Sequence, residues 1–264
     1  MTPALERREV VAVGWGVFGA GEAGRGVLGR KGLLHKEPAT RMALCAAHRA
    51  LGLVDGDPAA PGSVDPHTAV VVSANLGNVA TVVDVVRTVR SSRWRDVSPL
   101  AAPNASSNVV ASTLAIWYGF GGPNVMLCSG ATGGLDAVAV ASRLLRAGRA
   151  RRVVVVGVEP DDEIAAGLHE LRGTTGRPLR AGAASVVLAL ASTVDGVSLD
   201  GVRLIGPVRA SADGGTVGRA GDGYGAEGVR AVVEALEGAQ TGPVCCGDSV
   251  DGWRTVDVTV GGWS

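Results

Sequence analysis

Residues with the means to do chemistry cluster between Gly122 and Asp136: Gly122-Pro123-Asn124-Val125-Met126-Leu127-Cys128-Ser129-Gly130-Ala131-Thr132-Gly133-Gly134-Leu135-Asp136. A strand-like run climbs out of a Gly-Pro turn, enters an elbow of small residues and continues into a helix of Ala, Val and Leu. Such an elbow aims one side chain outward for nucleophilic attack. The candidates by residue type are Cys128, Ser129 and Thr132. Strand side chains alternate faces, so Cys128 is expected to point into the core, with Ser129 or Thr132 holding the turn. General-base partners are scarce. The chain has four histidines, His35, His48, His67 and His169. His48 falls on a helix with a buried apolar face; the others fall in polar, loop-like contexts, and a structural or surface role is expected for each.

The elements that position this elbow follow an alternating pattern. Val10 to Val13 reads as a strand entering a Gly-rich loop, 39–52 as an amphipathic helix ending at Gly52, and Thr68 to Ser73 as a buried strand. Helices are expected at about 78–90, 105–118 and 132–147, and strands at 124–128, 152–158 and 184–192. The polar stretch 161–183 reads as a partly helical insertion or loop. Beyond it, 202–206 reads as a strand, 213–225 as a Gly-rich loop and 226–237 as a helix. Val244 to Cys246 and 255–260 read as closing strands. Right-handed βαβ crossovers favour a mainly parallel sheet covered by helices. With only 3% aromatic residues, that core must be built from Val, Leu and Ala.

Composition excludes several classes. Lys plus Arg and Asp plus Glu balance at 25 each, so no field gathers nucleic acid or an anionic membrane. No apolar run reaches membrane-spanning length, and Thr2 to Glu9 is not a signal peptide, so a cytoplasmic protein is expected. Cys45, Cys128, Cys245 and Cys246 include no C-x-x-C pair, which implies neither a disulfide framework nor a zinc site. Gly14-Trp15-Gly16-Val17-Phe18-Gly19 spells G-x-G-x-x-G after a strand. The following Ala20-Gly21-Glu22-Ala23-Gly24 is too glycine-broken for a dinucleotide-binding helix, and Glu37 has no strand before it. Asp161-Asp162-Glu163 reads as a solvated acidic loop rather than a cation site, and no cofactor is expected.

The elbow resembles the active-site turn of β-ketoacyl synthases in the thiolase superfamily, whose pattern runs roughly G-P-x-x-x-x-x-T-A-C-x-x-G/S-L. The reactive Cys there lies eight residues after the Pro; here that position is Ala131, whose methyl group cannot attack a thioester. Two further stretches carry the resemblance. Leu145 to Arg152 with Val153 to Glu159 is similar to the family's helix, basic turn and buried strand. Ser98-Pro99-Leu100, Asn104 to Asn108 and Ile116 to Pro123 are similar to its substrate-side helix. The likeness covers most of 9–195 and weakens beyond.

The resemblance implies a thiolase-like layered α/β fold with a truncated second half, 1–195 and 196–264 packing as one domain. It places the family's first histidine in a turn read here as Gly247-Asp248-Ser249, and leaves no counterpart for the second. The expected role is that of a chain-length-factor-like, non-catalytic subunit of a type II polyketide synthase. It would pair with an active ketosynthase and shape the acyl tunnel, with an acyl carrier protein as a further partner, for which Arg143, Arg146, Arg149, Arg151 and Arg152 are candidates. Those subunits commonly carry Gln where Ala131 stands. Pocket-wall or interface candidates are Ile116, Trp117, Met126, Cys128, Ser129 and Thr132, with strand 124–128 pairing across a two-fold axis. Two alternatives remain: a self-sufficient acyltransferase or hydrolase using Ser129, Thr132 or a cysteine, and a homodimeric module binding an acyl chain or carrier protein.

Overall fold

The apolar runs Thr68–Ser73 (β2) and Arg152–Glu159 (β4) are buried along nearly their whole length because helices cover both sides of the sheet that holds them. The computed structural model describes residues 8–22, 24–29, 32–56, 63–173, 176–194, 203–212 and 222–260. Most of the expected loop at 213–225 lies outside the described residues.

Seven more strands complete the sheet: Val10–Gly19 (β1), Asn124–Leu127 (β3), Gly182–Leu190 (β5), Arg203–Ile205 (β6), Arg209–Ser211 (β7), Gly242–Asp248 (β8) and Gly252–Val260 (β9). Their order is β3-β2-β4-β5-β1-β6-β9-β7, with β8 also paired to β9. The helices are Gly24–Leu28 (α1), Pro38–Ala50 (α2), Val79–Ser91 (α3), Val109–Tyr118 (α4), Gly133–Arg146 (α5), Glu163–Arg172 (α6) and Glu227–Glu237 (α7). None among the described residues is long and apolar enough to cross a membrane.

Strand alternation sorts the core into two layers. Val70, Val72, Val154 and Val156 face α2 and α4. Ala69, Val71, Val153 and Val155 face α5 and α7. The expected layered α/β arrangement is therefore present, but the sheet is mixed rather than mainly parallel. Among the described strands, β2–β3 and β2–β4 are the pairs that run parallel. β5 lies antiparallel to both β4 and β1, and every described pairing beyond β1 is antiparallel. The difference arises because β5 follows α6 back along β4 instead of crossing over, a direction that hydrophobic periodicity does not encode.

One local expectation changes, and another, a partly helical stretch at 161–183, is met. The first strand does not stop at Val13; β1 continues through the G-x-G-x-x-G stretch to Gly19. A side chain at Gly14 would collide with the Ala50 carbonyl, and one at Gly16 would lie 2.6 Å from the Arg49 Cβ. These glycines let α2 sit directly on the strand. The short helix α1 begins at Gly24, only after β1 has carried the chain through all three glycines of the motif. In the stretch 161–183, residues Glu163 to Arg172 form a full helix. Its N-cap, Asp162, accepts from the Ile164 and Ala165 N–H groups at 3.1 Å each.

Candidate functional site

The elbow forms where β3 runs out. Gly130, in the left-handed region at φ 69°, turns the chain, and a short 3-10 turn over Gly130–Thr132 leads into α5. Ala131 is buried at the position expected for a nucleophile. Its N–H is the kind of elbow donor that would polarise an acyl carbonyl oxygen. That donor is already engaged: it bonds to Asp251 Oδ2 at 2.8 Å.

Asp251 reaches the elbow from the turn between β8 and β9, the turn in which the family resemblance places a histidine. Arg172, at the end of α6, holds it there at 2.7 Å and bonds Asp248 at 2.9 Å. The guanidinium lies 4.8 Å from the centre of the Tyr224 ring, a cation–π contact. Tyr224 is buried at φ 44°, a strained conformation for an aromatic residue. Its N–H donates to Asp222, whose other oxygen pairs with His169 at 3.1 Å. His169 is therefore a buried member of α6, not a loop residue. His48 is fully buried and bonds the Val54 carbonyl at 2.9 Å.

On the other side of the elbow, Asn75 follows β2 and Glu159 ends β4. Asn75 Oδ1 accepts from the Gly130 N–H and its amide donates to the Gly130 carbonyl. Fully buried Glu159 accepts from the Asn75 N–H at 2.7 Å, the Asn75 amide at 3.0 Å and the Leu76 N–H at 2.9 Å. Desolvation nevertheless pushes its pKa up to about 7, the hydrogen bonds opposing. A carboxyl whose folded pKa exceeds its unfolded value stabilises the fold fully below the unfolded value, near 4.5. That contribution is lost as pH rises through about 7. Chemical denaturation across this range should show wild type losing about 3 kcal/mol relative to Glu159→Gln.

The sequence candidates separate into two groups. Thr132 is buried, and its hydroxyl donates to Asp136 Oδ2 at 2.7 Å; Ser129 is exposed and donates to the same oxygen at 2.9 Å. Asp136 is in turn held by Arg254 at 3.1 Å. Cys128 does not point into the core. It is exposed, because β3 ends at Leu127 and strand alternation no longer governs it, and its thiol donates to the Ala74 carbonyl at 3.3 Å.

Ile116, Trp117 and Met126 lie away from the elbow turn. Ile116 is 80% exposed on α4. Trp117 is half-buried near Lys36, and Met126 is half-buried on β3. None of the three shifted thiols is activated: burial pushes Cys45 and Cys246 up to about 12 and raises Cys128 as well.

Sequence reading found the elbow but missed Asn75, Glu159, Arg172, Tyr224 and Asp251. The one available signal was the acidic turn Asp248-Ser249-Val250-Asp251, standing where a histidine was sought.

Comparison with known proteins accords with this geometry. The solved ishigamide ketosynthase/chain length factor superposes with TM-score 0.77 at 19% identity, over 95% of this chain and 98% of that one. A type II PKS acyl-carrier protein in complex with its ketosynthase bound to the hexaketide gives TM-score 0.63 at 15% identity, covering 78% and 70%. The ketosynthase from module 1 of the bacillaene synthase of Bacillus amyloliquefaciens gives 0.56 at 17%, covering 82% and 48%. In sequence, the mitochondrial 3-oxoacyl-[acyl-carrier-protein] synthase of Arabidopsis thaliana is 26% identical over 117 residues. That match takes in 44% of this chain and spans only 25% of the relative's length. Residues 30–186, more than half of the chain, match the family model for the β-ketoacyl synthase N-terminal domain. The chain belongs to the β-ketoacyl synthase family.

Proposed function

We propose that this chain is a non-catalytic ketosynthase-like subunit that pairs with an active ketosynthase in polyketide or fatty-acyl chain assembly. The observation that carries this reading is the elbow itself. A methyl group stands at the nucleophile position, and the adjacent N–H is bonded to Asp251 rather than open to an acyl oxygen. Condensation also needs groups to stabilise a developing enolate. In the turn where the family places its first histidine, this chain has acids.

The pairing surface is the edge of the sheet. β3 has a ladder on one side only among the described strands, and free strand edges favour pairing with another chain. Beside it, α4 exposes Ile116. Met126 and Trp117 belong to the same region as wall residues, with Cys128, Ser129 and Thr132 at its inner end. Side chains there would set where a growing chain stops, because added methylenes clash with a packed wall. The segments 1–195 and 196–264 act as one unit in this reading, supported by the single sheet that runs from β3 to β7.

The arginines near the end of α5 stand roughly 20 Å from the elbow at 1.5 Å rise per residue. They suit carrier-protein docking on an outer face rather than at an acyl entrance. A hydrolase or acyltransferase using Ser129 or Thr132 is disfavoured: both hydroxyls donate to Asp136, and among the described residues neither bonds a histidine.

Native mass spectrometry of the chain, alone and co-expressed with a ketosynthase from the same locus, tests the proposal. A one-to-one heterodimer is expected, with condensing activity only in the complex. Ile116→Asp should weaken that complex at least tenfold. A monomer or homodimer indifferent to the ketosynthase would overturn the reading.

A further inference from the structure

A cavity of about 690 Å³ opens between the end of β1, α1, the start of α2 and the β4–α6 turn. It lies at the same end of the sheet as the elbow but over β1, β5 and β4, and none of the elbow residues lines it. Crevices outside the carboxyl ends of strands are the usual ligand sites of α/β sheets, and this volume is within the range for small ligands.

Its wall chemistry is divided. Phe18, Leu33, Met42 and Ala181 are all buried and form an apolar floor. Arg25 and Arg41 line it from exposed positions, and among the described residues neither has an ion-pair partner. Two of the three lining acids are already occupied. Glu22 is paired with Arg49 at 2.8 Å and accepts from the Gly19 N–H at 2.8 Å. Asp162 caps α6. Arg25, Arg41 and Asp161 are the charged lining groups with no hydrogen-bond or ion-pair partner among the described residues. α2 also begins at the cavity, and its N-cap residue, Glu37, makes no side-chain cap bond.

We propose that this cavity binds a single-chain amphipathic anion, a carboxylate or phosphate head on an alkyl tail. The tail lies on Phe18, Leu33 and Met42 and the head meets Arg25 and Arg41. Burying alkyl surface on the floor supplies the main attraction, and the guanidinium groups select the charge. The site is independent of subunit pairing and stands whether or not a ketosynthase binds.

Isothermal titration calorimetry of the full chain tests it with dodecanoate and dodecyl phosphate, each below its micelle threshold. Dodecanol and dodecyltrimethylammonium serve as controls. Saturable one-site binding of at least one anion is expected, at least tenfold tighter than either control. The tighter of the two anions identifies the head group. Arg41→Glu, an exposed change that leaves the fold intact, should weaken binding at least tenfold. Met42→Trp, which fills the floor, should abolish it. No saturable binding of either anion, equal binding of the cationic amphiphile, or an unchanged affinity in Arg41→Glu would overturn the proposal.

Discussion

Arg172→Met is expected to lower the unfolding free energy by about 3 kcal/mol, seen as a reduced urea midpoint with an unchanged slope. The loss comes from the acids it leaves behind. Asp248 is 3% exposed and Asp251 20% exposed at the side chain, and both bond one guanidinium that is itself only 25% exposed. The methionine stem can retain part of the packing on Tyr224, so the change reports mainly on charge. Asp248 keeps the Val250 and Asp251 N–H groups, which limits the loss to the lower end for a broken buried pair. Arg172→Lys should recover part of it: both carboxylates bond one terminal nitrogen, Nη2, and an ammonium can stand in for that nitrogen only as far as its shorter stem reaches. Equal midpoints for Arg172→Met and wild type would mean that Asp251 is held at the elbow by the Ala131 N–H alone.

The second large effect concerns the crossing of α5 and α7. A Cβ on Gly134 would lie 2.7 Å from both the Gly228 and Val229 nitrogens, and one on Gly228 would lie 2.6 Å from the Leu135 nitrogen. These are backbone atoms of packed helices and cannot rotate aside. Gly134→Ala should therefore cost more than about 3 kcal/mol, beyond the usual range for an added methyl group. Because α5 starts at Gly133, separating the helices also displaces the elbow and the Ala131–Asp251 bond. Gly167→Ala is the matched control: nothing lies within 4 Å of its Cβ on α6, and a gain of about 0.5–1 kcal/mol is expected. Thermal unfolding by circular dichroism separates the two. Similar midpoints would show that the helices can move apart at little cost.

What could be read from the sequence depended on whether the information was local. The strand Thr68–Ser73 emerged with both ends correct, because a continuous apolar run bounded by breakers has one reading. The helix expected at 39–52 is Pro38–Ala50, its apolar stripe intact. Gly14 and Gly16 misled because their role is set by α2, which lies elsewhere in the chain; seen alone, a glycine pair looks like a loop. Strand direction was hidden for the same reason, since β5 has the same residue pattern whichever way it runs. At the elbow, the family pattern located Ala131. The closing carboxylate of Asp251 arrives from 120 residues downstream, and a turn containing Asp248 and Asp251 carries no local mark that it folds back there. Cys128 was misplaced by extending strand alternation one residue past the last ladder pair, Ser73 with Leu127.

The position of β1 in the sheet has a consequence for synthesis. Among the described strands it is the first to leave the ribosome, yet Val10 pairs with Leu190 on one side and Ile205 on the other. The middle of the sheet must therefore wait until β5 and β6 have been made, and closing it joins residues far apart in the sequence. Until Gly182–Leu190 emerges, β1 and the valine-rich β4 present unpaired edges together. The nascent chain is then at its most prone to aggregate, and the middle of the sheet closes only with the arrival of β5.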